Sequence, residues 1–310
     1  MQHTLRRMTR RFARRLKTAV NVVLGWIAVV LLKAIRRTDP LRTVHFAGRF
    51  VRRIGPWLPE HRIGRANLKA ASPDWPPAKV ERVLGGVWDN LGRLGAEFVH
   101  LDHLFNLDPA RLDQSRIEFT PETAERFLRL RDSKKPALFF AAHLANWELP
   151  AIAATAFGLQ SAALFRPPSI PTVRRFVLDV RSSRMGRLIP TTLDAPMRIA
   201  DAMQEGLHTG MLVDQYYTRG VDVTFFGRRT KANPLIARLA RHIDAPIHGT
   251  RVVRLPGDRF RVDLTEAINP PRDAKGKIDV AAMMQLITSI LEGWIREHPE
   301  QWLWLHRRWR

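Results

Sequence analysis

One short stretch of this chain pairs an imidazole with a carboxylate five positions away: Ala141-Ala142-His143-Leu144-Ala145-Asn146-Trp147-Glu148. On a single continuous helix such a pair is rotated by about 140° and does not meet. The spacing is productive only if His143 lies on a strand-to-helix turn and Glu148 in the first helical turn. The carboxylate can then hold one ring nitrogen while the other faces the crevice beyond the strand ends, as a general base does. A His that caps a helix beside a solvent-exposed Glu fits the same spacing equally well. Arg166 follows a second short apolar run, Arg181 sits one helix later, and Asp214 ends the apolar run Met211 to Val213. Both arginines could line the crevice, binding phosphate or polarising a carbonyl, although surface positions account for them at least as readily. A carboxylate buried at 214 would need an arginine or hydroxyl partner.

Absences narrow the chemistry. The 310 residues include no cysteine, which excludes disulfides, thiolate zinc sites, iron-sulfur clusters and a cysteine nucleophile. No Gly-x-Ser-x-Gly elbow occurs, so the serine nucleophile of that motif is not expected either. No His/Asp cluster has ligand spacing, and neither a metal nor a cofactor is expected.

The elements that must position these groups alternate. Helices are expected over Lys79 to Leu101, Pro121 to Leu130, Trp147 to Phe157, Thr172 to Met185, Met197 to Glu205, Leu235 to His242 and Val280 to Glu297. Strands are expected at Ala137 to Ala142, Ala162 to Phe165, Met211 to Val213 and Thr224 to Phe226, with a late pair, Pro246 to Val253 and Arg259 to Leu264, across Pro256-Gly257-Asp258. The alternation implies an α/β fold: a mixed, largely parallel sheet flanked by helices, in one globular domain over residues 41–310. Phe225-Phe226-Gly227 and the apolar helix from Trp147 fit the wall of a channel, or more simply ordinary core. Trp302, Trp304 and Trp309 among His306, Arg307, Arg308 and Arg310 fit either a belt at a membrane surface or a packed closing strand.

Charge is concentrated at one end. The chain holds 51 Lys and Arg against 29 Asp and Glu, a formal +22, yet it is 45% hydrophobic and too apolar for a disordered polycation. Residues 1–62 carry fifteen basic residues and two acids, a net +13 that leaves +9 for the other 248. Within that zone Ala19 to Leu32 is apolar except for Asn21, with Lys33, Arg36 and Arg37 directly after it. This composition predicts an N-terminal hydrophobic helix and an uncleaved basic membrane anchor over residues 1–40, either interfacial or a short span. A nucleic-acid-binding protein would account for +22 as naturally, but the densest charge flanks an apolar run and no recognition motif is present.

The string His143-Leu144-Ala145-Asn146-Trp147-Glu148-Leu149 resembles the signature of glycerolipid acyltransferases and, more closely, that of the lipid A late acyltransferases, the lauroyl and myristoyl transferases of lipopolysaccharide assembly. Further segments are similar in the same order: Phe165-Arg166-Pro167, Arg181, Gly210 to Gln215, Phe225-Phe226-Gly227, and Pro299 to Arg308. The chain departs from the pattern at Lys231-Ala232-Asn233-Pro234, where the family usually has a small residue and Thr before Pro. The resemblance implies O-acyl transfer from an acyl carrier protein thioester to a hydroxyl of a lipid A precursor. It further implies His143 as base, Glu148 fixing its tautomer, and Arg166, Arg181 and Asp214 in substrate binding. Acyl carrier protein, the lipid A precursor and membrane lipids would be the partners, without nucleic acid. The implied location is the bacterial inner membrane, with the catalytic domain on its cytoplasmic face. Acylation of another glycolipid or phospholipid is the nearest alternative.

Overall fold

The computed structural model describes residues 21–133 and 135–310. Residues 21–35 form a helix, α1. The apolar run expected from Ala19 to Leu32 therefore starts outside the described residues, as does the basic stretch before it. The described part of α1, 15 residues, is about 22 Å long, and among the described residues no helix is long and apolar enough to cross a membrane. Val23, Trp26, Ile27, Val30 and Leu31 of α1 are more than half exposed.

The next helices are α2 (Pro40–Ile54), α3 (Pro59–Ala71), α4 (Pro77–Val99) and α5 (Leu101–Leu104). Proline opens α2, α3 and α4, a position where its missing N–H costs nothing. Asp39 caps α2 by accepting from the Arg42 amide at 2.8 Å. α2 packs closely on α4 because Gly92 faces the Ala47 carbonyl, which an added Cβ would meet at 2.4 Å.

Strands and helices then alternate: β1 (Ile117–Glu118), α6 (Pro121–Ser133), β2 (Leu138–Ala141), α7 (Leu149–Ala156), β3 (Ser161–Phe165), α8 (Pro171–Ser182), β4 (Arg187–Pro190), α9 (Ala195–Gln204) and β5 (His208–Leu212). The chain continues through a hairpin, β6 (Tyr216–Phe225) and β7 (Arg228–Ala232), then α10 (Leu235–Ile243), β8 (Ile247–Leu255), β9 (Arg259–Leu264) and α11 (Val280–Glu297). Seven strands form one sheet in the order β1-β9-β8-β2-β5-β3-β4. Pairing is parallel from β8 to β4, antiparallel between β8 and β9, and parallel again between β9 and β1. The expected mixed, largely parallel α/β sheet is thus present.

The sheet separates two cores. On one side Phe140, Met211, Ile199, Ile236 and Ile287 belong to a cluster that also holds Trp302 and Trp304. On the other, Phe127, Leu149, Ile152, Phe157 and Val262 pack together. The central strand β2, Leu-Phe-Phe-Ala, is covered on both faces, which is why its sequence is uninterrupted apolar. Phe225-Phe226-Gly227 turns from β6 to β7, with Phe225 stacked on Trp309 and edge-on to Trp302, inside the first core. Trp302 and Trp304 are fully buried, so of the two expectations for the C-terminal aromatics the packed segment holds for both.

Candidate active site

β2 and β5 lie side by side in parallel register, with Ala141 opposite Leu212. Two residues beyond each of these, His143 and Asp214 stand next to one another at the carboxyl ends of the strands, where open α/β sheets bind ligands. His143 Nδ1 is 2.7 Å from Asp214 Oδ1. The His143 amide donates to Asp214 Oδ2 at 2.9 Å, and the Trp302 indole N–H donates to the same oxygen at 2.7 Å. Asp214 is completely buried. Burial alone would raise its pKa, but the His143 charge, the hydrogen bonds from His143 and the nearby His306 outweigh that and hold the carboxyl well below the ordinary range. With Asp214 ionised, Nδ1 is the nitrogen that donates to it, and in the neutral ring Nε2 is then the acceptor. Nε2 lies 3.4 Å from the Gln215 amide nitrogen, and the ring meets Trp147 edge-on at 4.9 Å.

Glu148 does not orient the imidazole. It sits at the start of α7 with its carboxylate turned toward α8, where Arg181 grips it in a fork: Nε donates to Oε2 at 2.9 Å and Nη2 to Oε1 at 2.5 Å. The orienting role expected of Glu148 therefore belongs to Asp214, because the neighbouring strand presents a carboxylate directly beside the ring. Likewise the expected arginine or hydroxyl partner of Asp214 is instead an imidazole with an indole N–H. Arg181 also lies over Phe98 and Phe165, at 5.4 and 5.8 Å. Arg166, at the end of β3, is exposed and makes no ion pair among the described residues.

All but one of these expected groups border a single cavity of about 630 Å³: His143, Glu148, Arg166 and Arg181 line it, and Asp214 stands behind His143. From this polar mouth the cavity follows the sheet back toward the strand beginnings, ending among Phe127, Phe139, Leu159, His208 and Leu264. Its floor and roof are kept open by small residues, Ala141, Ala163 and Gly210 from the strands and Ala151 and Ala154 one helical turn apart on α7. From His208 to Gln215 the path is roughly 20 Å at the rise of a strand. The helix from Trp147 thus walls the cavity, whereas Phe225 and Phe226 are core and do not border it. Among the described residues no group of three or more His, Asp or Glu side chains is arranged to hold a metal.

The turn itself is stitched to the C-terminal segment. The Ala145 amide donates to the Gln301 carbonyl at 2.9 Å, and the Leu303 amide donates to the His143 carbonyl at 3.1 Å. Farther along, Arg308 is buried and donates to Thr230 Oγ1 and to the Lys231 carbonyl. Burial lowers its pKa to about 10, which leaves it positive at neutral pH near Asp214. Trp302, Gln215 and the residues bracing the turn escaped sequence reasoning as site residues, since nothing in their spacing ties them to His143.

Residues 9–310 match the family model described as bacterial lipid A biosynthesis acyltransferase. The chain belongs to that family. A comparison with curated proteins returned no match. In this acyltransferase of lipid A biosynthesis the His143–Asp214 pair stands at the mouth of the cavity.

The two carboxylates differ in their partners, and their variants should differ in kind. In Asp214→Asn the amide oxygen is claimed by the His143 and Trp302 N–H donors, so the NH2 faces Nδ1 and favours the wrong ring tautomer; kcat should fall by roughly 10³-fold. Glu148→Gln loosens Arg181 and should act mainly on KM. Steady-state kinetics of acyl transfer on both folded variants checks this, and equal losses confined to kcat would contradict it. Because the folded Asp214 pKa is depressed, its stabilisation is complete above about pH 4 and is lost only as pH falls further. Thermal unfolding of wild type and Asp214→Asn across pH 3 to 7 should show their difference shrinking only at the acid end.

Proposed function

We propose that this acyltransferase moves a fatty acyl chain from an acyl carrier protein thioester to a hydroxyl of a lipid A precursor, with His143 as general base. The observation that carries this reading is an Asp214-held imidazole on the wall of the apolar cavity, its Nε2 not bonded to Asp214. An alkyl hydroxyl is too weak an acid to attack unaided, and a positioned base contributes about 10²- to 10⁴-fold. Nε2 takes the hydroxyl proton as the oxygen attacks the thioester carbonyl. The tetrahedral intermediate then expels the thiolate, and the imidazolium returns its proton to sulfur. Asp214 stabilises the imidazolium while it exists.

Arg181, fixed by Glu148, and the unpaired Arg166 supply positive charge at the mouth for a phosphate of the acceptor or for the developing oxyanion. The donor chain occupies the cavity, with its carbonyl at the polar end. Each step uses the chain's own groups and the two substrates, so the reaction needs no metal or cofactor. Acyl carrier protein is strongly acidic and the inner leaflet is anionic, which suits a chain of formal charge +22.

The proposed site of action is the cytoplasmic face of the bacterial inner membrane. Two surfaces support contact with lipid. One is the exposed apolar face of α1. The other is the outer face of α2 and the turn after it, where Phe46, Phe50 and Trp57 are exposed and alternate with Arg42, Arg49 and Arg53. α2 contains four arginines and no acid, as a helix lying in an anionic interface requires.

Mass spectrometry of lipid A provides the first test: cells lacking the gene should lose one secondary acyl chain, wild type should restore it, and His143→Ala should not. Normal lipid A in the deletion strain removes the reading. Gly210 faces the cavity with only Phe139 Cβ within 4.0 Å of an added Cβ. Gly210→Leu should therefore depress transfer from long-chain donors while sparing short ones in a donor-length series. Because the chain has no cysteine, Phe46→Cys, Phe50→Cys and Trp57→Cys can each carry a nitroxide. On phosphatidylglycerol-containing vesicles those labels should collide with oxygen more than with a polar nickel reagent, and a label at Lys275→Cys should not.

A further inference from the structure

Glu97 on α4 and Arg254 on β8 form an ion pair that touches neither the cavity nor His143. The Glu97 side chain is 3% exposed and that of Arg254 13%. Arg254 Nη1 donates to Glu97 Oε1 at 2.5 Å, and Nη2 donates to Oε2 at 3.1 Å. Oε2 also accepts from Asn146 Nδ2 at 2.9 Å. The third edge of the guanidinium, Nε, donates to Asn90 Oδ1 at 3.0 Å, and Asn90 Nδ2 in turn reaches the carbonyls of Ala145 and Gln301, each at 3.3 Å. Gln301 closes the circuit by bonding the Arg254 amide and carbonyl at 2.8 and 3.1 Å.

The two residues this network grips are Ala145 and Asn146, which lie between His143 and Glu148. Ala145 is left-handed, with φ of +46°, a conformation that a residue with a Cβ holds only when its surroundings impose it. Asn146 is fully buried, and its Oδ1 accepts from the Glu148 amide at 3.2 Å. The angle between the His143–Asp214 pair and the Glu148–Arg181 pair is therefore set at two residues, Ala145 fastened to Asn90 and Gln301, and Asn146 to Glu97. Stability alone gives little reason for such a pair, because apolar side chains of similar volume generally replace a buried ion pair without loss.

We infer that Glu97 and Arg254 are positioning residues: through Asn146 and Asn90 they fix the turn that sets His143 relative to Glu148. This role rests on the proposed acyl transfer. Single removal of either charge strands the other in the interior, so Glu97→Gln should be destabilised and does not by itself discriminate. The decisive variant is E97M/R254M, which removes both charges at similar volume. It should recover wild-type thermal stability yet show kcat at least tenfold reduced. Asn90→Ala, which deletes no charge, should show a smaller loss of the same kind.

The His143 imidazole resonance, assigned by its disappearance in His143→Ala and titrated by NMR without substrate, should shift its midpoint in E97M/R254M and in Asn90→Ala. A stable E97M/R254M with wild-type kcat and an unchanged titration overturns the inference. If E97M/R254M does not fold, Asn90→Ala decides by the same two readouts. If the wild-type protein transfers no acyl chain, the proposed function fails, while the NMR titration still tests the positioning of the ring.

Discussion

The site depends on a register. β2 and β5 pair in parallel with Ala141 against Leu212, so that the residues two steps onward, His143 and Asp214, emerge side by side although 71 positions separate them in the chain. Side chains two apart on a strand share a face, and the pair therefore persists as long as those two strands keep their alignment. Packing enforces it, because a slip of one residue would carry Phe140 or Met211 from the first core to the opposite face of the sheet. The geometry of the His143–Asp214 pair and the hydrophobic order of the sheet are consequently the same constraint.

A second constraint comes from the end of the chain. Gln301, Trp302 and Leu303 pass behind the His143 turn and bond to it through main chain, while the Trp302 indole supplies the third hydrogen bond to Asp214. A buried carboxylate with three donors can stay ionised where one with a single donor would take up a proton. The aromatic packing of Trp302 against Trp304 and Phe225 holds that indole in place. The segment from Pro299 onward is thus part of the site's foundation rather than a tail.

Much of the framework was legible. The helix over Val280 to Glu297 coincides with α11, and the run Ala137 to Ala142 brackets β2, because each has a strong single period or an unbroken apolar sequence. α2 and α3 were not read: four arginines in α2 make its periodicity look like an extension of the basic flank, and only contact with α4 gives it a buried side. β4, with one buried residue, and β7, Arg-Arg-Thr-Lys-Ala, take their strand character from a partner and carry little pattern of their own. Among the site residues, His143, Glu148, Arg166, Arg181 and Asp214 were all legible as chemistry, yet their pairing was not. Nearness in sequence suggested Glu148 for the imidazole, whereas direction is decided by tertiary structure: the start of α7 aims Glu148 at α8. Glu97, Asn90 and Arg254 gave no local signal at all, since each acquires meaning only from groups at least 49 residues away.

The two carboxylates have different surroundings, and from these their division of labour follows. Asp214 accepts hydrogen bonds from an imidazole, an amide and an indole, so its full charge remains available to the ring as that ring becomes positive. Glu148 is already neutralised by the Arg181 fork and has no such charge to offer. What it does instead is hold a guanidinium in one orientation at the mouth of the cavity, where Arg181 keeps an N–H group uncommitted to Glu148. One acid thus faces an imidazole and the other a guanidinium, a separation by environment rather than by residue type. That separation requires the two pairs to keep a fixed distance and angle, which explains why the short turn between them is buried, left-handed at Ala145 and braced from α4, β8 and the C-terminal segment together.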